Sequence, residues 1–81
     1  MKGGDEMEDK NKYKNTLEDI GQKIRKRREK KGWYVRELAD RTPYSKSYIN
    51  YIENGDRAAN IRVYIDIADA FNIKLETLFR S

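Results

Sequence analysis

Apolar residues recur along this chain at intervals of three and four positions, the spacing that places side chains on one face of an α-helix. The first such face consists of Leu17, Ile20 and Ile24, and Thr16 can cap the helix that carries it. Gly32 follows two lysines and provides a C-terminal stop, because glycine readily adopts the left-handed conformation. The pattern therefore predicts a first helix that begins at Thr16 and ends before Gly32.

Two shorter helices are predicted next, over about residues 34–41 and 45–54. Pro43 ends the first of them, since the residue before a proline avoids the helical region. Ser45 caps the second, and Asn54-Gly55 ends it with two residues that tolerate left-handed geometry. The side chains predicted to face inward from these two helices are Leu38, Ala39, Ile49 and Ile52.

A fourth helix is predicted over about residues 60–71, with Asn60 as its cap, and a short fifth helix follows it. The alternation of apolar residues in the fourth segment is also compatible with a strand, but its length and its cap favour a helix. Its predicted inward stripe is Ile61, Tyr64, Ile65, Ala68 and Phe71, widened by Val63 and Ile67. The fifth helix holds Leu75, Leu78 and Phe79. The chain is therefore predicted to be all-α, with five short helices.

The first fifteen residues differ in composition from the rest. They carry many charges, two glycines and almost no apolar content, and so cannot bury enough surface to fold by themselves. We predict a disordered, flexible charged tail over residues 1–15 and one compact domain over residues 16–81, which is all that 81 residues allow.

The positive charge of the chain is concentrated in its middle. The whole chain has 18 basic and 14 acidic residues, for a net charge of +4. Residues 22–62 alone carry 12 basic and 5 acidic side chains, for a net charge of +7. Such a run is compatible with a solvated helix face and with a surface that binds nucleic-acid phosphates, and charge alone does not decide between them.

Several classes of function are disfavoured by what the sequence lacks. There is no Cys and no His, which removes disulfides, thiolate zinc sites and the commonest general base. A Ser–Lys dyad in Ser45-Lys46-Ser47 would need a buried lysine, whereas Lys46 is predicted to face solvent. The acids Asp66, Asp69 and Glu76 are too scattered for a metal site. We expect no catalysis, no metal and no cofactor.

The chain also lacks membrane signals. No stretch approaches the roughly 20 apolar residues of a membrane span, and the N-terminus has no apolar segment typical of a signal peptide. We therefore expect a cytoplasmic location and no membrane partner.

Four segments share residues and spacing with a known family. They are IGQKIRKRREKKG (20–32), RELAD (36–40), YSKSYINYIENGDR (44–57) and YIDIADAFNIKLETLF (64–79). Together they make the chain resemble the Cro/phage-repressor type helix-turn-helix family, often called the Xre family. The resemblance implies a lambda-repressor-like fold of five helices, in which the third helix enters the major groove of DNA. It also implies a sequence-specific transcriptional regulator, a repressor acting as a homodimer on double-stranded DNA.

The resemblance also implies which residues touch DNA. The base-contacting positions are Lys46, Ser47, Asn50 and Tyr51 on helix 3. Because Ile49 and Ile52 face inward, these four share the outward side of the helix. Lysine can donate to guanine and asparagine can read adenine, whereas hydroxyl groups read bases more loosely. Phosphate contacts are expected at the amide end of helix 2 and around helix 3, from Val35, Arg36, Tyr48, Asn54 and Arg57.

A structural ion pair and a dimer surface are also expected. Family members commonly pair an Arg on helix 1 with a Glu at the end of helix 3, which implies a structural ion pair between Arg28 and Glu53. A dimer surface is expected in the C-terminal third, with apolar contributions from Phe71, Ile73, Leu75 and Phe79.

The chain departs from the family pattern in the turn, at Pro43 and at Tyr44, where the family usually has a small aliphatic residue, and at Val35. Pro43 stands in a turn where the family usually has a glycine with positive φ, and proline cannot adopt that conformation. Val35 replaces a Gln that commonly touches the DNA backbone. The turn must therefore differ, which leaves open the angle between helices 2 and 3 and so the direction of helix 3.

Two rival functions remain open. An antitoxin or partner-binding adapter of the same fold would use residues 1–15 as an arm that folds on a toxin or regulatory protein. RNA binding is disfavoured, because the sequence has neither an exposed aromatic sheet nor a GXXG loop.

Overall fold

The computed structural model describes the backbone of residues 2–56 and 59–80 and the side chains of residues 16–56 and 59–80. Its helices are α1 (Lys2–Lys30), α2 (Val35–Asp40), α3 (Lys46–Asn54), α4 (Ile61–Ala70) and α5 (Leu75–Arg80). No β-strand occurs in these described ranges, so the predicted all-α class with five helices is confirmed. None of the described helices is both long and apolar enough to cross a membrane.

The predicted start of the first helix is wrong. Helix α1 begins at Lys2, not at Thr16, and is therefore 29 residues long. The prediction used apolar periodicity, which detects only the part of a helix that packs. Residues 2–15 lack that pattern, and only their four Lys, two Glu and one Met favour helix without packing, against two Gly that oppose it. The flexibility of residues 1–15 stays a prediction, and their side chains lie outside the described residues.

The predicted caps and stops agree with the ends of the later helices in the structure. The amide of Tyr48 donates to the Ser45 side chain at 3.1 Å, and the amide of Val63 donates to the Asn60 side chain at 3.1 Å. Helix α2 ends at Asp40, three residues before Pro43, in keeping with the restriction that proline imposes on its neighbour. Helix α3 ends at Asn54, and the next residue, Gly55, provides the left-handed cap with a φ of 72°.

One buried core joins all five helices. Its fully buried large side chains come from α1 to α5 and are Ile24, Leu38, Ile49, Ile52, Ile67 and Leu78. Trp33, between α1 and α2, packs against this core and stacks on Phe71 with a ring-centroid distance of 5.5 Å. The predicted inward residues of α2 and α3 are all buried.

The inward face predicted for α4 needs correction. Ile61 is 57% exposed and Ile65 is 38% exposed, whereas Val63 and Ile67, predicted at the edge, are buried. Tyr64, Ala68 and Phe71 are buried as expected. Helix α4 carries apolar residues on more than one side, so spacing alone cannot select the side that packs. The structure therefore leaves two isoleucines, one helical turn apart, on the surface.

A close approach between α1 and α3 positions the third helix. A Cβ atom built on Gly21 would overlap the backbone carbonyls of Ile52 and Glu53. Only glycine allows the two helices to approach this closely without a shift of the backbone. Gly21 therefore sets the distance between α1 and the C-terminal end of α3.

Candidate nucleic-acid interface

The turn between α2 and α3 is organised by hydroxyl groups. The Thr42 hydroxyl donates to the carbonyl of Ala39 at 2.9 Å and accepts from the amide of Tyr44 at 3.1 Å. The bond to the Tyr44 amide satisfies a backbone donor that lies before the first turn of α3, and the Ala39 carbonyl accepts from the Thr42 amide as well, at 2.9 Å. Ser45 then begins α3 as its cap. The turn is therefore closed without a glycine of positive φ.

Tyr44 connects this turn to α4. Its hydroxyl donates to Asp66 Oδ2 at 2.6 Å, across 22 positions of sequence. This hydrogen bond to a carboxylate raises the pKa of the Tyr44 hydroxyl above its ordinary value, because it stabilises the protonated form. The Tyr44 ring also contacts the Tyr48 ring on the first turn of α3, at a centroid distance of 5.3 Å.

The outward face of α3 carries the four residues predicted to contact bases. Ile49 and Ile52 are buried, at 0% and 2% exposure, and they fix the side of the helix that faces the core. Lys46, Ser47, Asn50 and Tyr51 are all exposed. They form one polar surface on a helix that the rest of the molecule holds by its apolar side.

A groove brings part of this face together with the start of α2. Its volume is about 440 Å³, and it is lined by Tyr34, Val35, Arg36, Lys46, Ser47 and Asn50. Three of these residues are predicted base contacts and two are predicted phosphate contacts. Glu37, the acid nearest in sequence to Arg36, accepts a hydrogen bond from the Tyr34 amide at 2.7 Å, which helps to fix the start of α2. The groove therefore combines two cations, a hydroxyl, an amide and the N-terminal end of a helix.

The side chain of Tyr34 is a feature that the sequence prediction missed. The prediction included only the backbone around this residue, as part of the amide end of helix 2. In the structure the side chain is 75% exposed and lines the groove. A large aromatic residue directly before a helix start was the available signal.

The other predicted phosphate contacts lie in less uniform surroundings. Tyr48 is half-buried beside Tyr44, and Val35 packs partly against the core. Asn54 lines a separate depression with Glu18, Asp19 and Gln22 of α1. Two carboxylates beside Asn54 oppose the approach of a phosphate. Arg57 lies outside the described residues.

The ion pair implied by the family resemblance forms in the structure. Arg28 Nε donates to Glu53 Oε2 at 2.7 Å and Arg28 Nη2 donates to Glu53 Oε1 at 3.0 Å. A third donor, Nη1, reaches the carbonyl of Trp33 at 2.7 Å. Both side chains are buried, and the hydrogen bonds to Glu53 raise the pKa of the Arg28 guanidinium. This arginine therefore holds α1 to α3 and is not available to a phosphate.

Other basic residues are also engaged within the molecule. Lys23 donates to the carbonyl of Phe79 at 2.7 Å and pairs with Asp19 at 3.2 Å. The guanidinium of Arg41 lies 4.2 Å from the centre of the Trp33 ring, a cation–π contact. These basic residues thus take part in contacts within the fold, whereas Arg36 and Lys46 are the cations that line the groove. Within the described ranges, no group of three or more acidic, His or Cys side chains is arranged to hold a metal ion.

Comparison with known proteins identifies the family. The model of the HTH_3 family, described as helix-turn-helix, matches residues 24–78. The chain belongs to the HTH_3 family. The HTH_3 match covers α2, the turn, α3, α4 and most of α5. The HTH_3 family consists of DNA-binding transcription regulators. The predicted resemblance over residues 20–79 is therefore confirmed.

Individual HTH_3-like relatives agree with this assignment. The chain is 36% identical over 61 residues to the competence pilus inhibition repressor of Acinetobacter baylyi, a match covering 75% of this chain and 56% of that protein. The chain thus spans little more than half the length of this curated relative. It is also similar to the restriction-modification controller protein C.AhdI from Aeromonas hydrophila, with a TM-score of 0.74 and 29% identity over 76% of this chain and 94% of that one.

A third similarity supports the fold alone. The clp gene regulator ClgR from C. glutamicum matches with a TM-score of 0.73 and 24% identity, over 78% of this chain and 82% of that one. The helical arrangement of the HTH_3 domain is therefore shared with regulators whose sequences differ widely from this one.

Proposed function

We propose that this HTH_3 domain is a sequence-specific repressor that places α3 in the major groove of double-stranded DNA. The observation that carries the proposal is the groove between α2 and α3, where Lys46, Ser47 and Asn50 meet Arg36 and the start of α2. Side chains on the outward face of α3 can reach base edges, while the start of α2 lies against a phosphate. Tyr51 extends the base-reading surface beyond the groove.

The anchors to phosphate are best supported at the start of α2. The amides of Val35 and Arg36 belong to the first turn of this helix and so point out of its N-terminal end. The exposed Arg36 side chain adds a cation there, in place of the Gln that the family resemblance leads one to expect at position 35. Tyr48 and Arg57 remain proposed contacts, and Asn54 is the least favoured because of its acidic neighbours.

The experiment that tests this function is selection of bound sequences from a random DNA pool at two salt concentrations. We expect a motif that persists at the higher concentration, because base contacts survive when counterion release weakens phosphate contacts. Lys46→Ala is expected to lower affinity for the selected sequence by about tenfold to a hundredfold while affinity for random DNA changes little.

A matched control variant makes the result decisive. Lys26→Ala removes the same charge from the exposed side of α1, away from the groove, and is expected to leave the selected motif unchanged. Recovery of no motif from the wild-type protein, or equal losses for both variants on the selected sequence, contradicts the proposed function.

A homodimer is part of the same proposal, because a single small DNA-binding module buries only about 600–1,000 Å² and is weakly specific. The predicted dimer residues divide in the structure. Phe71 is 3% exposed and is occupied by its stack on Trp33, whereas Ile73, Leu75 and Phe79 are only partly buried. We add Ile61 and Ile65, whose exposed side chains lie one turn apart on α4, and place the dimer surface there with the accessible parts of Ile73 and Leu75.

A further inference from the structure

Helix α3 is attached to the rest of the domain at both of its ends by hydrogen bonds to carboxylates. At its C-terminal end, Glu53 accepts two bonds from Arg28 of α1. Just before its N-terminal end, Tyr44 donates to Asp66 of α4 at 2.6 Å. Two separated attachments fix both the position of a helix and its direction, which one attachment cannot do.

The acceptor of the second attachment is itself held in place. Asp66 Oδ2 accepts from Tyr44, while Oδ1 accepts from Arg62 Nε at 3.3 Å. The Asp66 side chain is only 16% exposed, so water competes little for its oxygens. Arg62 is 77% exposed, and its contribution is small because exposed ion pairs are screened. The bond from Tyr44 is therefore the stronger of the two constraints.

The Tyr44 ring carries this constraint directly to α3. It contacts the ring of Tyr48, which lies on the first turn of the helix, one residue after Ser47 and two after Lys46. A shift of Tyr44 thus moves the part of α3 that begins the proposed base-reading face. Pro43 has no backbone N–H to donate, and the residues on either side of it, Thr42 and Tyr44, make side-chain hydrogen bonds instead.

We propose that Tyr44, through its hydrogen bond to Asp66, is a positioning residue that sets the direction of α3 and thereby the sequence preference for DNA. This inference rests on the proposed function, because the effect of Tyr44 is measured as a preference for a DNA sequence. Tyr44 is not among the residues that line the groove, and it acts through its contacts with Asp66 and Tyr48. Its loss reduces discrimination between sequences more than it reduces general attraction to DNA, because the cations of the groove remain.

The test is a double-mutant cycle on Tyr44 and Asp66, measured as the ratio of affinities for the selected sequence and for random DNA. Tyr44→Phe removes the hydroxyl and keeps the ring, and Asp66→Ala removes the acceptor. Each is expected to lower the ratio by about tenfold, the factor that corresponds to roughly 1.4 kcal/mol. The double variant is expected to be no worse than either single one, since both remove the same bond.

Two conservative variants separate positioning from general disruption. Asp66→Asn retains an oxygen that accepts from Tyr44 and is expected to keep most of the preference. Arg62→Gln breaks the exposed pair only and is expected to leave the ratio at its wild-type value. A wild-type ratio in Tyr44→Phe, or losses that multiply in the double variant, overturns the proposal.

Hydrogen exchange provides a readout that is independent of DNA. The Tyr48 amide donates to the Ser45 hydroxyl, and the Ile49 amide donates to the Ser45 carbonyl. Exchange of these two amides therefore reports on the first turn of α3. We expect both to exchange faster in Tyr44→Phe and at the wild-type rate in Arg62→Gln. If the wild-type protein has no preferred sequence, the proposed function fails, whereas unchanged exchange in Tyr44→Phe refutes the positioning role itself.

Discussion

At the scale of single residues, the same charge type serves two distinct purposes in this chain. Arg28 donates three hydrogen bonds inside the domain, whereas Arg36 and Lys46 line an open groove. A buried guanidinium needs a full set of acceptors because its desolvation is costly. An exposed cation can instead exchange its counterions for a phosphate. Burial, and not charge, therefore separates the structural arginine from the cations of the groove.

This distinction predicts very different costs for two similar substitutions. Glu53→Gln leaves the buried Arg28 without its counter-charge and is expected to lower the free energy of unfolding by about 3–5 kcal/mol. Glu29→Gln removes a partner of the exposed Arg25 and is expected to cost about 0–1 kcal/mol. Urea unfolding followed by circular dichroism measures both values. Equal losses in the two variants contradict the structural role given to the buried pair.

At the scale of elements, the sequence predicts the features that depend on neighbouring residues alone, such as helix caps and stops. The caps at Ser45 and Asn60 and the stop at Gly55 place α3 and the start of α4 within about one residue. The outward side of α3 followed from Ile49 and Ile52 because only one side of that helix is apolar. Local rules did not give the inward face of α4, because apolar residues surround most of its axis. They did not give the start of α1 either, because its first half forms a helix without an apolar side.

Contacts between elements were not predictable from local rules. Nothing in the spacing of residues pairs Tyr44 with Asp66, because the bond joins two helices whose relative placement is set by the whole core. The same is true of Gly21, whose role depends on how close α3 approaches. By contrast, the pair Arg28–Glu53 was inferred from the resemblance to a family and not from spacing.

The close approach at Gly21 leads to a prediction for the packing of α1 on α3. In Gly21→Ala the added methyl group meets two backbone carbonyls, which cannot move aside as a side chain does. We expect the free energy of unfolding to fall by about 1–3 kcal/mol, as in other overpacked sites. Gln22→Ala is the matched control, because Gln22 is the next residue of α1 but is exposed. It is expected to change stability by less than about 0.5 kcal/mol.

Thermal or urea unfolding provides the measurement for this pair of variants. The glycine substitution would otherwise favour the helical state, since alanine has the higher helix propensity by about 1 kcal/mol. A gain in stability in Gly21→Ala therefore means that the two helices can separate at little cost, and it contradicts the close packing.

At the scale of the whole molecule, charge and apolar surface are segregated along the chain. Residues 22–62 carry the positive excess, whereas residues 63–81 carry two basic and three acidic side chains. The exposed isoleucines lie on α4, where these two segments of the sequence meet. An apolar surface beside an acidic segment suits contact with a second copy, because it keeps the dimer contact away from phosphates.

This arrangement predicts that one substitution on α4 separates dimerisation from DNA contact. Ile65→Lys places a charge in the proposed apolar surface and is expected to convert dimers to monomers in sedimentation experiments at micromolar concentration. The selected DNA motif should then shorten from two half-sites, about 34 Å apart, to one half-site. Gln22→Lys adds the same charge on the exposed side of α1 and is expected to leave both the dimer and the motif intact. A dimer that persists in Ile65→Lys with both half-sites recovered shows that the two copies meet elsewhere, since a desolvated lysine without a partner cannot remain in a stable interface.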